Sequence, residues 1–492
     1  MEVQGAGIAG GHEKTCEIAL DVMQAGGNAV DAAIAAFAAM FVTEPAMASP
    51  GGGGFATVLP VSGQGVVFDF FCHTPKTKKK IDEVSYRPIT VDFGDDTELF
   101  YAGNGSTSTP GAIAGIFSMH EAMGTMPLAE LFSPAVELMK EGVMLNNFQA
   151  FDLGLLADIF LMEPFGRSIF MQDQRLKKQG ERVKMDRLAD FMGTLAIEGR
   201  DLFYRGEIAK ECVRIMRDQG GLLKRDDFDS YQCVKRKPRS FRLDEWQIHT
   251  VPQPFLGGAI FELLTQTFFA ENKSESEFYP GMYDAICKVL PMLKDQSELE
   301  KALKEQRPPL PRHRGSTSHF SIIDRQGMAV SLTTSIGEGS GLFLPSSGIH
   351  MNNMLGELAL LPGDLHSWWP DCRLNSMMSP TIAKKPNGDL LVVGTGGAGR
   401  IPFVLAQMMG HYLLSPKADL KEIIARPRIF ATNDTFHYER PIDPDNWAHQ
   451  HAKSRIWGEG SLFFGGVNAI EIRQGHLSGI ADPRRQGEVR FV

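Results

Sequence analysis

Hydroxyl groups crowd one short stretch of the chain, Gly315-Ser316-Thr317-Ser318-His319-Phe320-Ser321-Ile322-Ile323-Asp324. A hydroxyl is a weak nucleophile, and it attacks an amide carbonyl only when a base stands beside it. Read alone, the stretch is an ordinary strand start. The second group with chemical potential is the glycine turn Gly394-Thr395-Gly396-Gly397-Ala398-Gly399-Arg400. Consecutive backbone N–H groups in such a turn suit an oxyanion, and the same turn equally serves to end a strand. His449 and His451 lie close together but outside any H-E-x-x-H arrangement, so metal-dependent hydrolysis is disfavoured. The six cysteines, Cys16, Cys72, Cys212, Cys233, Cys287 and Cys372, show no C-x-x-C spacing. Neither a metal site nor a disulfide framework is supported, and scattered cysteines usually pack as small hydrophobes.

The elements that must position these groups are legible from periodicity. Glu13 to Ala25 carries an apolar stripe at helical spacing, ended by Gly26-Gly27. Asn28 starts a second helix with Asp31 in its first turn, and the alanine-rich run to Phe41 predicts burial on all sides. This helix stops at Glu44-Pro45, and Gly51 to Gly54 follow. Phe55 to Phe71 reads as two strands joined at Ser62-Gly63-Gln64-Gly65, and about 110–227 reads as mainly helical. A strand and turn end in Val251-Pro252-Gln253-Pro254, and a helix starts after Gly257-Gly258. Gln306 to Ser316, with three prolines and three arginines, reads as an exposed irregular connector. His319 to Ile323, Ala329 to Ser335 and Leu390 to Val393 then read as strands.

The 492 residues are 43% hydrophobic and 22% charged, an ordinary globular composition with ample chain for a large core. A formal charge of -9 argues against nucleic acid or an anionic membrane as partner. The basic run Lys76-Thr77-Lys78-Lys79-Lys80 reads as a solvated loop. Met1 to Gly5 shows neither a basic nor an apolar leader region, and the most apolar stretch, Ala29 to Val42, is too short to span a bilayer. The expectation is a cytoplasmic protein without a membrane segment.

In context the hydroxyl-rich stretch resembles the small-subunit start of gamma-glutamyltransferases, T-T-H-Y-S-V-V-D. Further segments resemble the same family in the same order: Gly26 to Ala33, Gly51 to Phe55, Pro110 to Gly115, Gly124 to Leu128, Gly348 to Asn353, Met378 to Thr381, Gly394 to Arg400 and Ala481 to Arg484. Collinear over nearly the whole chain, they imply an α+β fold, the four-layer αββα sandwich of N-terminal-nucleophile (Ntn) hydrolases. They also imply self-cleavage between Ser316 and Thr317 into a large subunit, 1–316, and a small subunit, 317–492, that stay together. Thr317 is then the nucleophile, and its freed α-amine, with an ordinary pKa of about 8, is its own base. No cofactor and no metal is needed. Gly397 and Ala398 take the family's oxyanion-hole positions, Ala398 replacing a glycine. Ser335 takes the place of the family's supporting threonine, with Thr333 and Thr334 beside it.

The resemblance breaks at the acyl pocket. Phe71 stands where the family has the arginine that clamps the substrate carboxylate, and a phenyl ring does not replace a bidentate guanidinium. Asn353 is kept, and Glu357 keeps a negative charge one methylene longer. Of two carboxylate-facing serines only Ser376 remains, the other being Met377. An asparagine two residues after the supporting hydroxyl is Gly337, and Lys76 or Arg373 are the basic residues in reach of a substitute role. The expected partner is a small-molecule amide or peptide. The expected activity is transfer of a gamma-glutamyl or related acyl group to water or an amine. The alternatives are an acylase for another acyl group, and a catalytically silent binding or assembly member.

Overall fold

The computed structural model describes residues 5–92, 97–271, 274–294, 316–432, 434–451 and 453–492. Most of the proline- and arginine-rich connector, residues 306–315, and the first four residues lie outside them. Two sheets face each other. The first is built from β1 (Gly7–Gly10), β2 (Gly53–Leu59), β3 (Val66–Asp69), β4 (Val234–Arg236), β7 (Thr317–Ile323), β8 (Ala329–Ser335) and β13 (Glu488–Phe491). The second contains β5 (Arg239–Leu243), β6 (Trp246–Thr250), β9 (Thr381–Lys384), β10 (Leu390–Gly396), β11 (Gly466–Arg473) and β12 (His476–Ala481). Their orders are β4-β3-β2-β8-β7-β1-β13 and β5-β6-β9-β10-β11-β12, with every neighbour antiparallel.

Helices α1 (Glu13–Gln24), α2 (Ala29–Thr43), α3 (Ala112–Met123) and α4 (Leu128–Glu141) cover the outer face of the first sheet, and α5 (Asn147–Leu155) follows them. Helices α6 (Gly257–Phe269), α7 (Phe278–Lys294) and α8 (Ile401–Leu414) cover the outer face of the second. The result is the four-layer αββα sandwich. Every residue of α2 is buried, as its alanine run requires. Asn28 accepts N–H bonds from Val30 and Asp31, and Asp31 accepts the Asn28 N–H in return. Asp31 also holds the N–H groups of Thr125 and Met126, so two of the sequence motifs meet at one carboxylate. Asp324, at the turn after β7, accepts the Ala29 N–H at 2.9 Å and ties the central hairpin to the start of α2.

Strand alternation then decides what faces what. Phe320 and Ile322 of β7 pack into the helical layer. Thr317, His319, Ser321 and Ile323 share the other face, toward the second sheet. There Ile323 packs on Ile382, Leu390, Val392 and Ile470, and Ser321 Oγ donates to the Asn468 carbonyl at 3.0 Å. Ser331 of β8 likewise donates across to the Val393 carbonyl at 3.0 Å. The end of β7 therefore opens between the sheets, against the end of β10.

The segment after Asp227 is richer in strand than the sequence reading, which expected one strand and a turn. Three short strands, β4 to β6, form two sheet edges there. Short edge strands with charged residues such as Lys235 and Arg242 carry little periodicity to read.

Candidate active site

Thr317 is the first residue of β7 and is buried. The register sets Ser335, not Thr333 or Thr334, directly opposite it, with Gly53 of β2 beyond. Thr333 is instead bonded to His319 Nδ1 at 2.8 Å. Ser335 Oγ donates to the Ser316 carbonyl oxygen at 2.5 Å, and the Gly337 N–H donates to Ser335 Oγ at 2.8 Å. The carbonyl just before Thr317 thus carries a positioned hydroxyl donor. On the same residue the Ser316 N–H donates to Glu338 Oε1 at 3.0 Å. Arg485 Nη1 donates to the Thr317 carbonyl at 2.7 Å and fixes the other side of the strand start.

The glycine turn lies against this point. A Cβ placed on Gly396 would come within 2.0 Å of the Thr317 carbonyl oxygen, so only glycine permits the approach. Gly397 has φ +124° and Ala398 φ +48°, a left-handed conformation an alanine adopts at a cost of about 1 kcal/mol. The turn runs into the short helix Ala398–Arg400 and then α8. The first N–H groups of a helix have no partner within it, which suits this end to an oxyanion.

Removing the Ser335 hydroxyl takes one donor from the Ser316 carbonyl. Ser335→Ala is expected to slow any cleavage at that bond by about a hundredfold, while Ser335→Thr keeps it within a few-fold. The fraction of intact chain against time, read by mass, checks both.

Carboxyl groups surround the site. Glu338 and Glu357 are buried. Burial pushes both well above the usual carboxylate range, and Glu98 adds to the effect on each. Burial also raises Asp152 to about 6 and Glu44 to about 7, the latter despite a hydrogen bond from the Ser318 hydroxyl and the nearby Arg485 charge. Each unit of such a shift is worth about 1.4 kcal/mol. An acid whose folded-state pKa is raised contributes full stability below its unfolded pKa and loses it as pH rises through the folded value. For Glu44 that window runs from 4.5 to about 7. Glu44→Gln, which resembles the neutral acid, is expected to leave Tm unchanged near pH 4 and raise it at pH 8. Thermal unfolding at the two pH values checks this.

The residues singled out for acyl recognition fall into two places. Asn353 and Glu357 stand over Gly337, where a Cβ would come within 2.0 Å of both Asn353 Oδ1 and Glu357 Oε1. Asn353 Oδ1 accepts the N–H groups of Glu338 and Gly339, and its Nδ2 is buried without a partner among the described residues. Phe71 and Met377 instead pack in the apolar core beneath the second helical layer, Phe71 stacked on Phe55 at 5.4 Å between ring centroids. Ser376 Oγ accepts the Met378 N–H at 3.1 Å and holds its own turn. Arg373 is engaged by Asp69 at 3.2 Å and lies on the Tyr231 ring at 4.5 Å. The Lys76 backbone N–H donates to Asp227. Glu338, Arg485 and Glu44 were not singled out by sequence reasoning. Glu338, alone among glycines in Gly337-Glu338-Gly339, carried a readable signal, whereas Arg485 and Glu44 reach the site only through folding.

Beside Ser316 lies a cavity of about 420 Å³, walled by Phe148, Phe151 and Leu155 of α5 and by Trp457, Leu462 and Phe463. Ser316, Glu338 and Arg485 also line it.

A family profile described as gamma-glutamyltranspeptidase matches residues 15–279 and 285–492. The chain is 27% identical to the glutathione hydrolase proenzyme of Escherichia coli, over 95% of this chain and 88% of that one. It is 24% identical to the capsule biosynthesis protein CapD proenzyme of Bacillus anthracis, over 98% and 90% of the two chains. A cephalosporin acylase structure from Bacillus halodurans superposes with a TM-score of 0.81 at 20% identity, over 100% of this chain and 96% of that one. A match along nearly the full length, on a sandwich with a threonine opening its central strand, means that this chain belongs to the gamma-glutamyltranspeptidase family.

Proposed function

We propose that the chain is a self-processing amidase that matures by cutting its own Ser316–Thr317 bond and then uses Thr317 as an N-terminal nucleophile. The observation that carries this is the Ser335 hydroxyl on the Ser316 carbonyl, opposite Thr317 across the β7–β8 pair. Thr317 Oγ attacks the Ser316 carbonyl carbon, the bond from that carbon to the Thr317 nitrogen breaks, and the nitrogen takes the proton lost by the hydroxyl, leaving an ester and a free Thr317 α-amine. Water then hydrolyses the ester, freeing the Ser316 carboxylate and the Thr317 hydroxyl. The products are residues 1–316 and 317–492, interleaved in one sandwich because β7 and β8 lie between β1 and β2.

In the mature form the neutral α-amine takes the Thr317 hydroxyl proton as Oγ attacks an amide carbonyl. The N–H groups at Gly397 and Ala398 face the developing oxyanion, and Ser335 supports the nucleophile. The amine product leaves with that proton, and water or an acceptor amine releases the acyl group. Thr317 supplies nucleophile and base, so the proposed cycle calls on no cofactor.

The family and its glutathione hydrolase relatives favour a gamma-glutamyl or related amide as substrate. A second reading, an acyl group other than gamma-glutamyl, is favoured by Phe71 sitting in the core and Arg373 being held by Asp69. Denaturing electrophoresis with intact mass tests the maturation. The expected result is two fragments, the smaller beginning at Thr317; a persistent full-length chain after long incubation would refute the mechanism.

A further inference from the structure

In the maturation proposed above, the first acyl group that Thr317 meets is its own chain's Ser316, and that residue is held at two points. Its carbonyl takes the Ser335 hydroxyl. Its N–H donates to Glu338 Oε1 at 3.0 Å. Ser316 also lines the cavity of about 420 Å³, whose aromatic and aliphatic walls are interrupted by Asp152, Arg400, Glu459, Ser461 and Arg485. Glu338 is 1% exposed, and its second oxygen, Oε2, is buried with no hydrogen-bond partner among the described residues. A buried carboxyl oxygen left unpaired is costly, and a ligand donor that reaches it recovers that cost. Two of the cavity's rings are backed by guanidinium groups, Arg400 over Phe463 at 4.6 Å and Arg485 over Phe148 at 5.8 Å. That stacking holds the rings as fixed walls.

The nitrogen that Glu338 holds is two bonds from the reacting carbonyl carbon. In a gamma-glutamyl group the amino nitrogen is four bonds away. An acyl group that reuses the Ser316 N–H contact to Glu338 therefore carries its nitrogen on the carbon next to the carbonyl, and its side chain enters the adjoining cavity between the aromatic walls. We propose, resting on the amidase reading above, that the preferred substrates are amides of α-amino acids with a large aromatic side chain. In this assignment Glu338 binds the α-nitrogen and the pocket of Phe148, Phe151, Trp457 and Phe463 takes the ring.

The test uses the purified, self-cleaved enzyme and four p-nitroanilides: L-phenylalanyl, 3-phenylpropionyl, L-alanyl and gamma-L-glutamyl. Phenylalanyl is expected to exceed 3-phenylpropionyl, which lacks only the nitrogen, by about tenfold or more in kcat/KM. It is expected to exceed alanyl by a similar factor through ring burial. Glu338→Gln, quantified as cleaved enzyme by mass, should lower the phenylalanyl-to-3-phenylpropionyl ratio in kcat/KM about tenfold. Phe151→Ala, a half-exposed wall residue, should narrow the phenylalanyl-to-alanyl ratio. A cleaved enzyme that prefers the gamma-glutamyl compound, or that takes 3-phenylpropionyl as well as phenylalanyl, overturns this assignment and leaves the amidase standing. A chain that never cleaves overturns both.

Discussion

Thr317→Ala is expected to leave a single uncut chain with no amide turnover, at least about a thousandfold below the parent enzyme. In the proposed mechanism one hydroxyl serves twice, first on the Ser316 carbonyl and then on substrate. Without it the Ser316–Thr317 bond persists, the α-amine never forms, and the base is lost together with the nucleophile. The strand itself should survive. Thr317 sits at the end of β7, where its pairing with Ser335 continues into six further register pairs down to Ile323 and Ala329. Thermal unfolding should therefore stay within a few degrees of the parent while intact mass shows the full-length chain. Thr317→Ser keeps the hydroxyl and should still cleave, more slowly. Cleavage that proceeds in Thr317→Ala would place the nucleophile elsewhere and end the mechanism.

What the sequence made legible follows from local rules. Asn28 and Asp31 form a capping box because their spacing matches the first helical turn. The alanine run of α2 is buried throughout because nothing polar interrupts it from Ala32 to Val42 and Asp31 is satisfied by backbone N–H groups. Thr317 opens a strand because alternating residues downstream divide between a helical layer and a second sheet. Gly337 is the instructive departure. Its lack of a side chain looked like a lost asparagine, but Glu357 and Asn353 occupy the space a Cβ would need. The longer acid and the glycine are one change, visible only when two segments twenty residues apart are brought together. Arg485 and Glu44 were hidden for the same reason. Arg485 reaches Thr317 across 168 residues of sequence, and Glu44 meets Ser318 across 274. No periodicity encodes such meetings, because the order of strands in the first sheet creates them.

Restoring the family's arginine by Phe71→Arg is expected to destabilise the protein by about 4 kcal/mol or more without conferring gamma-glutamyl activity. Phe71 is 1% exposed and stacks on Phe55, which meets Phe255 edge-on at 4.5 Å. Its backbone is fixed as well, the N–H donating to Asp69 Oδ1 and the carbonyl accepting the Tyr231 hydroxyl. A guanidinium there loses the ring stack and enters an apolar core. Asp69, the acid nearest in sequence, already holds Arg236 at 2.8 Å and Arg373 at 3.2 Å. The expected readouts are a Tm lowered by roughly 4 °C or more, poor soluble yield, and no gain with gamma-glutamyl-p-nitroanilide. A well-folded variant that turns that compound over would show that the core yields at this point and that Phe71 alone separates the two substrate classes. The packing argues otherwise. Phe71 belongs to an aromatic cluster, Gly337 lies beneath Glu357, and Met377 fills the same core as Phe71, so these departures from the family's pattern are built into the packing, and a single reversion meets that packing before it meets substrate.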